Sequence, residues 1–302
     1  MEAELKPILL HGCHGLGDTI NQRAIVKRFM RDRDVYLRTS WPVLNWDLMD
    51  QGLKCVRLHS GLRVQAKNEV IEADKFVVAP PGIEKIEVKY WEKGPQHIKL
   101  PGTVLEEIFR LAGLKLEPDD TFDLTVRDAW TDQMDDLLEQ RGWKGQPILV
   151  YRPLTKRPEA RMNIGRDPDP QVYRDVLAQI RDRFFVVSVA SLCDGREWLL
   201  DATEQAAGVA DITFHGDGLS IPLLVALFAR ASVAYVAAGF GAILAPAVQT
   251  PVISLVGREP ARWLDCSRTS PYLGIEPPWT DAAQRVRSFL DESVHGHIRG
   301  LR

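Results

Sequence analysis

The sequence predicts an α/β protein built from two consecutive strand-and-helix units, on three observations. Short apolar segments alternate with helix-length amphipathic ones. The alternation restarts after a turn-rich joint, Gly142-Trp143-Lys144-Gly145-Gln146-Pro147. The first apolar segment, Ile8-Leu9-Leu10, runs straight into His11-Gly12-Cys13-His14-Gly15-Leu16-Gly17-Asp18 and then into a helical pattern. Alternation of this kind implies mostly parallel sheets covered by helices, and such sheets bind ligands at the carboxyl ends of their strands.

In the first half, Ile8 to Leu10 reads as a strand, Thr19 to Arg31 as a helix and Asp34 to Arg38 as a strand. A helical Trp46 to Gln51 precedes a strand at Lys54 to Leu58, and another strand spans Lys75 to Val78 before Ala79-Pro80-Pro81-Gly82. Thr103 to Leu111 and the charged Asp128 to Arg141 have helical spacing. Beyond the joint, Ile148 to Tyr151 is a buried strand, Asp169 to Arg181 a helix and Phe184 to Val189 a strand. Strands at Ile212 to His215, Ala234 to Val236 and Val252 to Leu255 then alternate with helices at Ser220 to Arg230 and Ala242 to Val248. A last helix covers Ala282 to Ser293. Two units of about 145 residues each, joined near Gly145, match ordinary domain sizes.

The glycine turn does not have nucleotide-loop chemistry. Its glycines lack the G-x-G-x-x-G spacing, no Lys-Ser or Lys-Thr follows, and the carboxylate of Asp18 repels phosphate. Asp18 suits proton removal, and equally suits capping the helix that follows. Cys13 and His14 are adjacent, but no third group at a recognisable position orients them as a nucleophilic pair.

Composition excludes several classes. A formal net charge of −3 over 302 residues does not suit a protein whose main task is gripping nucleic acid by charge. No apolar run approaches the ~20 residues that span a bilayer, and the acidic start is not a secretory signal, so a cytoplasmic protein is expected. Cys13, Cys55, Cys193 and Cys266 show no C-x-x-C pair, so free thiols and no structural metal are expected.

Two segments together resemble glycosyltransferase family 9, the heptosyltransferases and their relatives. One is Gly15-Leu16-Gly17-Asp18-Thr19-Ile20; the other is Leu223 to Gly257, where Ala237-Ala238-Gly239-Phe240-Gly241 forms a small-residue turn and Pro251 opens a strand ending at Gly257. The resemblance implies the GT-B fold, two Rossmann-like domains facing each other across a cleft. Residues 1–145 would serve the acceptor and 146–280 the nucleotide sugar, with 281–302 as a helix and tail packing back on the first domain. It implies transfer of a sugar from a nucleotide-sugar donor to a saccharide or other hydroxyl acceptor, with Asp18 as general base and neither metal nor cofactor.

On this reading the donor side comprises Arg152, Thr155, Lys156, Arg157 and Arg161 after the strand at Ile148, the turn Ala238-Gly239-Phe240-Gly241, and Asp217 and Glu259 for ribose hydroxyls. Cations and helix-initial amides suit a departing diphosphate. The basic residues, with Arg166, equally suit a solvated loop paired with Glu159, Asp167 and Asp169, and Asp217 equally suits a helix cap. His215 reads as a structural histidine. The acceptor side comprises His14, Gly15 and Gly17 with a loop bearing Arg63 and Lys67; Thr39 to Pro42 and Trp46 add polar and aromatic groups.

The chain departs from the family where an Asp-Ser/Thr-Gly and a following His are usual, having Ala237-Ala238-Gly239 and then Ala242 or Ile243. Two alternatives therefore stand beside the transferase: a GT-B enzyme glycosylating a modified DNA base along the basic segments, and an inactive relative that binds a nucleotide sugar.

Overall fold

A computed structural model describes residues 6–90, 102–158, 167–200, 209–216, 218–257 and 269–294. Arg161, Arg166, Asp217, Glu259 and Cys266 lie outside the described residues, as does the tail beyond 294. The chain divides into two compact units, Met1–Thr125 and Val126–Arg302. The division precedes the joint at Gly142 to Pro147 because the charged helix before that joint belongs with the second unit. There, Asp135 of this helix lies 3.0 Å from Arg230, whose guanidinium in turn lies over Trp143.

Among the described residues, the first unit holds a parallel sheet of five strands in the order β4-β3-β2-β1-β5. These are β1 (Ile8–Gly12), β2 (Val35–Thr39), β3 (Lys54–Arg57), β4 (Phe76–Val77) and β5 (Glu84–Val88). The chain steps from β1 to β4 in one direction and then returns to place β5 on the other side of β1, in register His11 with Glu87. That reversal is a topological switch point, where loops after neighbouring strands diverge and leave a crevice. Ile8, Leu10, Leu37 and Cys55 of the strands are fully buried, as are Ile20 and Ile25 of α1 (Leu16–Met30). Helix α2 (Trp46–Asp50) follows β2.

Two elements of this unit differ from the sequence expectation. Strand β5 carries Glu84, Lys85 and Glu87 at a sheet edge, and its apolar alternation is confined to Ile86 and Val88, too short to announce a strand. The segment bearing Arg63 and Lys67 is not a loop but α3 (Arg63–Ile71). Its inward face is polar: Gln65, Asn68 and Glu69 are buried while Val70 and Ile71 are exposed, so its hydrophobic pattern is inverted. The burial is supported by hydrogen bonds. The Gln65 amide donates to the His14 carbonyl at 2.7 Å, Asn68 to the Ser40 carbonyl at 2.5 Å, and Glu69 accepts from Ser40 Oγ at 2.6 Å. Helix α4 (Val104–Leu111) matches expectation, with Thr103 as a cap that accepts from the Glu106 amide.

The second unit opens with α5 (Asp128–Gln140) and has, among the described residues, a parallel sheet in the order β10-β8-β6-β11-β12-β13. The strands are β6 (Ile148–Tyr151), β8 (Phe185–Ala190), β10 (Ile212–His215), β11 (Val233–Ala237), β12 (Val252–Leu255) and β13 (Tyr272–Ile275). Strand β6 is central and buried throughout, as a strand with parallel neighbours on both sides must be. The chain moves outward through β8 and β10, then returns through β11 to β13, so a second switch point lies between β6 and β11. A short antiparallel pair, β7 (Thr155–Lys156) with β9 (Trp198–Leu199), adds a hairpin-like ribbon absent from the sequence reading.

Helices α6 (Pro170–Ile180), α7 (Ile221–Arg230) and α8 (Phe240–Ala247) cover this sheet. Asp169 and Ser220 cap α6 and α7. Helix α9 (Ala282–Phe289) buries Ala282 and Val286 in the core of the second unit, and Leu290 follows them there in a π turn. A stack of tyrosines braces the sheet: the rings of Tyr173 and Tyr235 lie 4.5 Å apart, the Tyr235 hydroxyl donates to the Tyr173 carbonyl, and the Tyr173 hydroxyl donates to the carbonyl of Arg152 at 2.9 Å.

Candidate active site

The first switch point gathers the chemistry of the first unit. Helix α1 starts at Leu16, inside the glycine turn and earlier than the apolar pattern suggests, with Gly15 as its cap residue in extended conformation. Asp18 is thereby the third helical residue. Its Oδ2 accepts the Gly15 amide at 2.9 Å, which supports the early start. A Cβ on Gly15 would come within 2.6 Å of that oxygen, so any side chain there would push the Asp18 carboxylate out of this position.

The other carboxylate oxygen of Asp18 accepts a hydrogen bond from the Tyr90 hydroxyl, two residues beyond β5. Tyr90 was not foreseen, because the strand that delivers it was not. The capping and catalytic readings of Asp18 are therefore not exclusive. A half-buried carboxylate fixed at both oxygens retains lone pairs for a third partner.

His14 lies beside it. Its ring stacks on that of His11, with centroids 5.7 Å apart and planes 9° from parallel. Its carbonyl accepts from Trp41 Nε1 at 3.2 Å as well as from Gln65, so Trp41 and α3 act by holding the turn. Burial and the nearby Lys89 charge hold His14 below the usual histidine range, and the same causes, joined by Arg38, take His11 down to about 4. Both rings are neutral at pH 7. Arg63 is half-buried and Lys67 exposed on α3, while Trp46 is half-buried and donates to the Thr125 carbonyl at 2.9 Å. Gly17 lies in the first turn of α1.

The second switch point brings together the ends of β6 and β11. Arg152 follows β6, is 9% exposed, and its guanidinium lies over the Phe240 ring with Cζ 5.3 Å from the centroid. Burial, and then the neighbouring Arg157, push its pKa down against the opposing charge of Glu197. The guanidinium is thus a buried cation set against an aromatic face, with the Glu197 charge nearby.

Phe240 opens α8, whose first amides have no intrahelical acceptor. Gly239 caps it at φ 153°, a conformation suited to glycine, with open space where a side chain would stand. Ala238 is half-buried at the end of β11, and Gly241 packs against Val236. These features form a compact corner of positive potential at the ends of β6 and β11.

The basic loop divides in function. Thr155, expected to face the donor, is instead 1% exposed and donates to the buried Glu197 at 3.1 Å, because pairing with Leu199 turns it inward. Arg157 lies 3.8 Å from Glu197, the acidic partner that sequence reading did not identify. Lys156 faces outward opposite Trp198. His215 is the structural residue expected, 3.0 Å from Ser188 Oγ and held low in pKa by burial. Cys13, Cys55 and Cys193 are free thiols, and burial takes Cys55 up to about 12. Among the described residues no cluster of three metal-ligating side chains occurs, and no helix is long and apolar enough to cross a membrane.

Solved structures share this architecture. The chain superimposes on a family 9 glycosyl transferase from Veillonella parvula DSM 2008 with a TM-score of 0.54 at 12% identity, over 97% of this chain and 91% of that one. Against ADP-heptose lps heptosyltransferase II of E. coli the TM-score is 0.60 at 14% identity, over 97% and 99%. Against E. coli heptosyltransferase WaaC with ADP it is 0.53 at 10% identity, over 95% and 97%. No family model matches the sequence, and no curated protein matches it. The chain thus has the fold of these glycosyltransferases, and the likeness to family 9 read from Gly15 to Ile20 and Leu223 to Gly257 holds at the level of the fold.

Proposed function

We propose that this protein is a glycosyltransferase that moves a sugar from a nucleotide-sugar donor to a hydroxyl acceptor without a metal. The observation that carries the reading is Asp18, a carboxylate fixed at the first switch point by the Gly15 amide and the Tyr90 hydroxyl, on a fold shared with enzymes of this class. An acceptor hydroxyl is a weak nucleophile until its proton begins to leave. Asp18 takes that proton as the hydroxyl oxygen bonds to the anomeric carbon of the donor. The bond from that carbon to the diphosphate breaks, and the departing nucleoside diphosphate carries the electron pair.

Arg152 and the amides that open α8 supply the positive potential for the leaving diphosphate, a task that a metal ion performs in other transferases. Gly239 and Phe240 act through backbone, which accommodates the loss of polar side chains at Ala237 and Ala238. ADP is the first nucleotide to test, because one structural neighbour was solved with it.

The test is release of nucleoside diphosphate from a panel of nucleotide sugars, with Asp18→Asn as control. Asparagine can still accept the Gly15 amide, so the turn should survive while turnover falls by roughly 10²–10⁴-fold. Nucleotide-sugar binding with no turnover in the unaltered protein would instead establish the inactive-relative reading.

A further inference from the structure

We propose that the outward face of the β7–β9 ribbon, formed by Lys156 and Trp198, receives the aromatic base of the nucleotide, with Lys156 serving the adjoining phosphate. This inference rests on the transferase reading and adds to it a base-recognition surface. The ribbon pairs Thr155 with Leu199 and Lys156 with Trp198. Because side chains alternate across a strand, the first pair turns inward and the second outward. Thr155 and Leu199 are 1% and 7% exposed, whereas Trp198 is 42% exposed. Among the described residues of the second unit, Trp198 is the only large hydrophobic side chain left exposed.

The strand that carries the indole is held in place through its backbone. The Cys193 and Glu197 backbones exchange hydrogen bonds at 3.0 and 2.8 Å, and the Leu200 amide donates to the Leu154 carbonyl at 2.8 Å. The carboxylate of Glu197, buried beneath the ribbon, accepts from Thr155 and neighbours Arg157. An indole presented on a backbone fixed this firmly offers a preformed flat surface on which a planar group can stack without reordering the chain.

Topology sets what that is. The ribbon's arms leave the carboxyl ends of β6 and β8, which are adjacent in the sheet, and Arg152 stands at the root of the first arm. On the opposite side of β6 is β11, with Gly239 and the start of α8. The sheet edge therefore presents, in order, a corner of positive potential, a lysine with no ion pair among the described residues, and an exposed indole. A nucleoside diphosphate has matching groups in that order: anionic phosphates followed by a flat base. Base-on-aromatic stacking tolerates any base, so the ribbon supplies affinity more than choice of nucleotide.

The experiment is calorimetric titration of the full chain with ADP, UDP, GDP and CDP, and with inorganic pyrophosphate as a probe lacking a base. Trp198→Ala should weaken the preferred nucleotide about tenfold or more and leave pyrophosphate unchanged, and Trp198→Phe should recover most of the loss. Lys156→Ala should weaken both probes. Tight nucleotide binding that is unaltered in Trp198→Ala would overturn this inference while sparing the transferase reading. An unaltered protein that binds none of the nucleotides overturns both.

Discussion

The Tyr90 hydroxyl and the Gly15 amide donate to opposite oxygens of the Asp18 carboxylate, so one residue after β5 and one after β1 fix the group that faces the acceptor in the proposed reaction. Both bonds favour the ionised carboxylate. Removing one in Tyr90→Phe frees the side chain to rotate. The expected outcome is a kcat about ten- to a hundredfold lower with KM little changed. The melting temperature should be unchanged, whereas a purely structural tyrosine would lower it together with kcat.

Arg152 separates stability from binding. It is nearly buried, its charge is opposed by burial and by Arg157, and its guanidinium meets the Phe240 ring. Replacing a buried charge of this kind with an apolar side chain of similar length is neutral or stabilising. Arg152→Met should therefore keep or raise the melting temperature while weakening nucleoside diphosphate binding about tenfold or more. Thermal unfolding with and without ADP reads both effects, and a fall in the melting temperature of the free protein would show that the arginine is chiefly structural.

The parts of this site legible in sequence were those announced by glycine and by apolar runs. Gly15 to Asp18 and Ala238 to Gly241 follow buried strands, and both occur at switch points of the observed sheets. Tyr90 was hidden because β5 is a short, mostly charged edge strand with only Ile86 and Val88 apolar. Helix α3 was hidden because it buries amides and a carboxylate, so its periodicity shows only once the carbonyls of His14 and Ser40 are known to face it. The inward turn of Thr155 and the outward turn of Trp198 depend on a two-residue pairing made between distant segments, which no local pattern records.

Arg23 shows the same principle in the core of the first unit. It is fully buried and donates to both oxygens of Asp47 at 2.9 and 2.7 Å, to the Leu44 carbonyl at 2.6 Å and to the Asp123 carbonyl at 3.0 and 2.8 Å. Burial pushes the Asp47 carboxyl up, but the hydrogen bonds and charge of Arg23 outweigh it and hold the group below the usual range. Arg23→Ala would remove the charged partner of Asp47, leaving it the Thr125 hydroxyl, and would take the arginine donor from the Leu44 and Asp123 carbonyls. The expected cost is about 3–5 kcal/mol, measured by urea unfolding. Asp47→Asn should cost less, because the amide oxygen still accepts one of the two bonds.

His11 makes the first unit sensitive to mild acid. Its imidazole is taken from 6.5 to about 4 by burial and by the charges of Lys89 and Arg38, which outweigh Glu87 with its oxygen 3.6 Å from Nδ1. The unfolded chain therefore binds a proton at His11 between pH 6.5 and about 4 that the folded chain does not. Above 6.5 the contribution of this group to stability is fully present, and it is lost as the pH falls toward 4. His14 and His215, also held low by burial, act with the same sign. Melting temperatures measured from pH 7 down to pH 4 should fall in the unaltered protein. In His11→Asn, which has no proton to take up at this position, the slope should be shallower. An unchanged slope in that variant would assign the acid sensitivity to the other histidines and to the paired carboxylates.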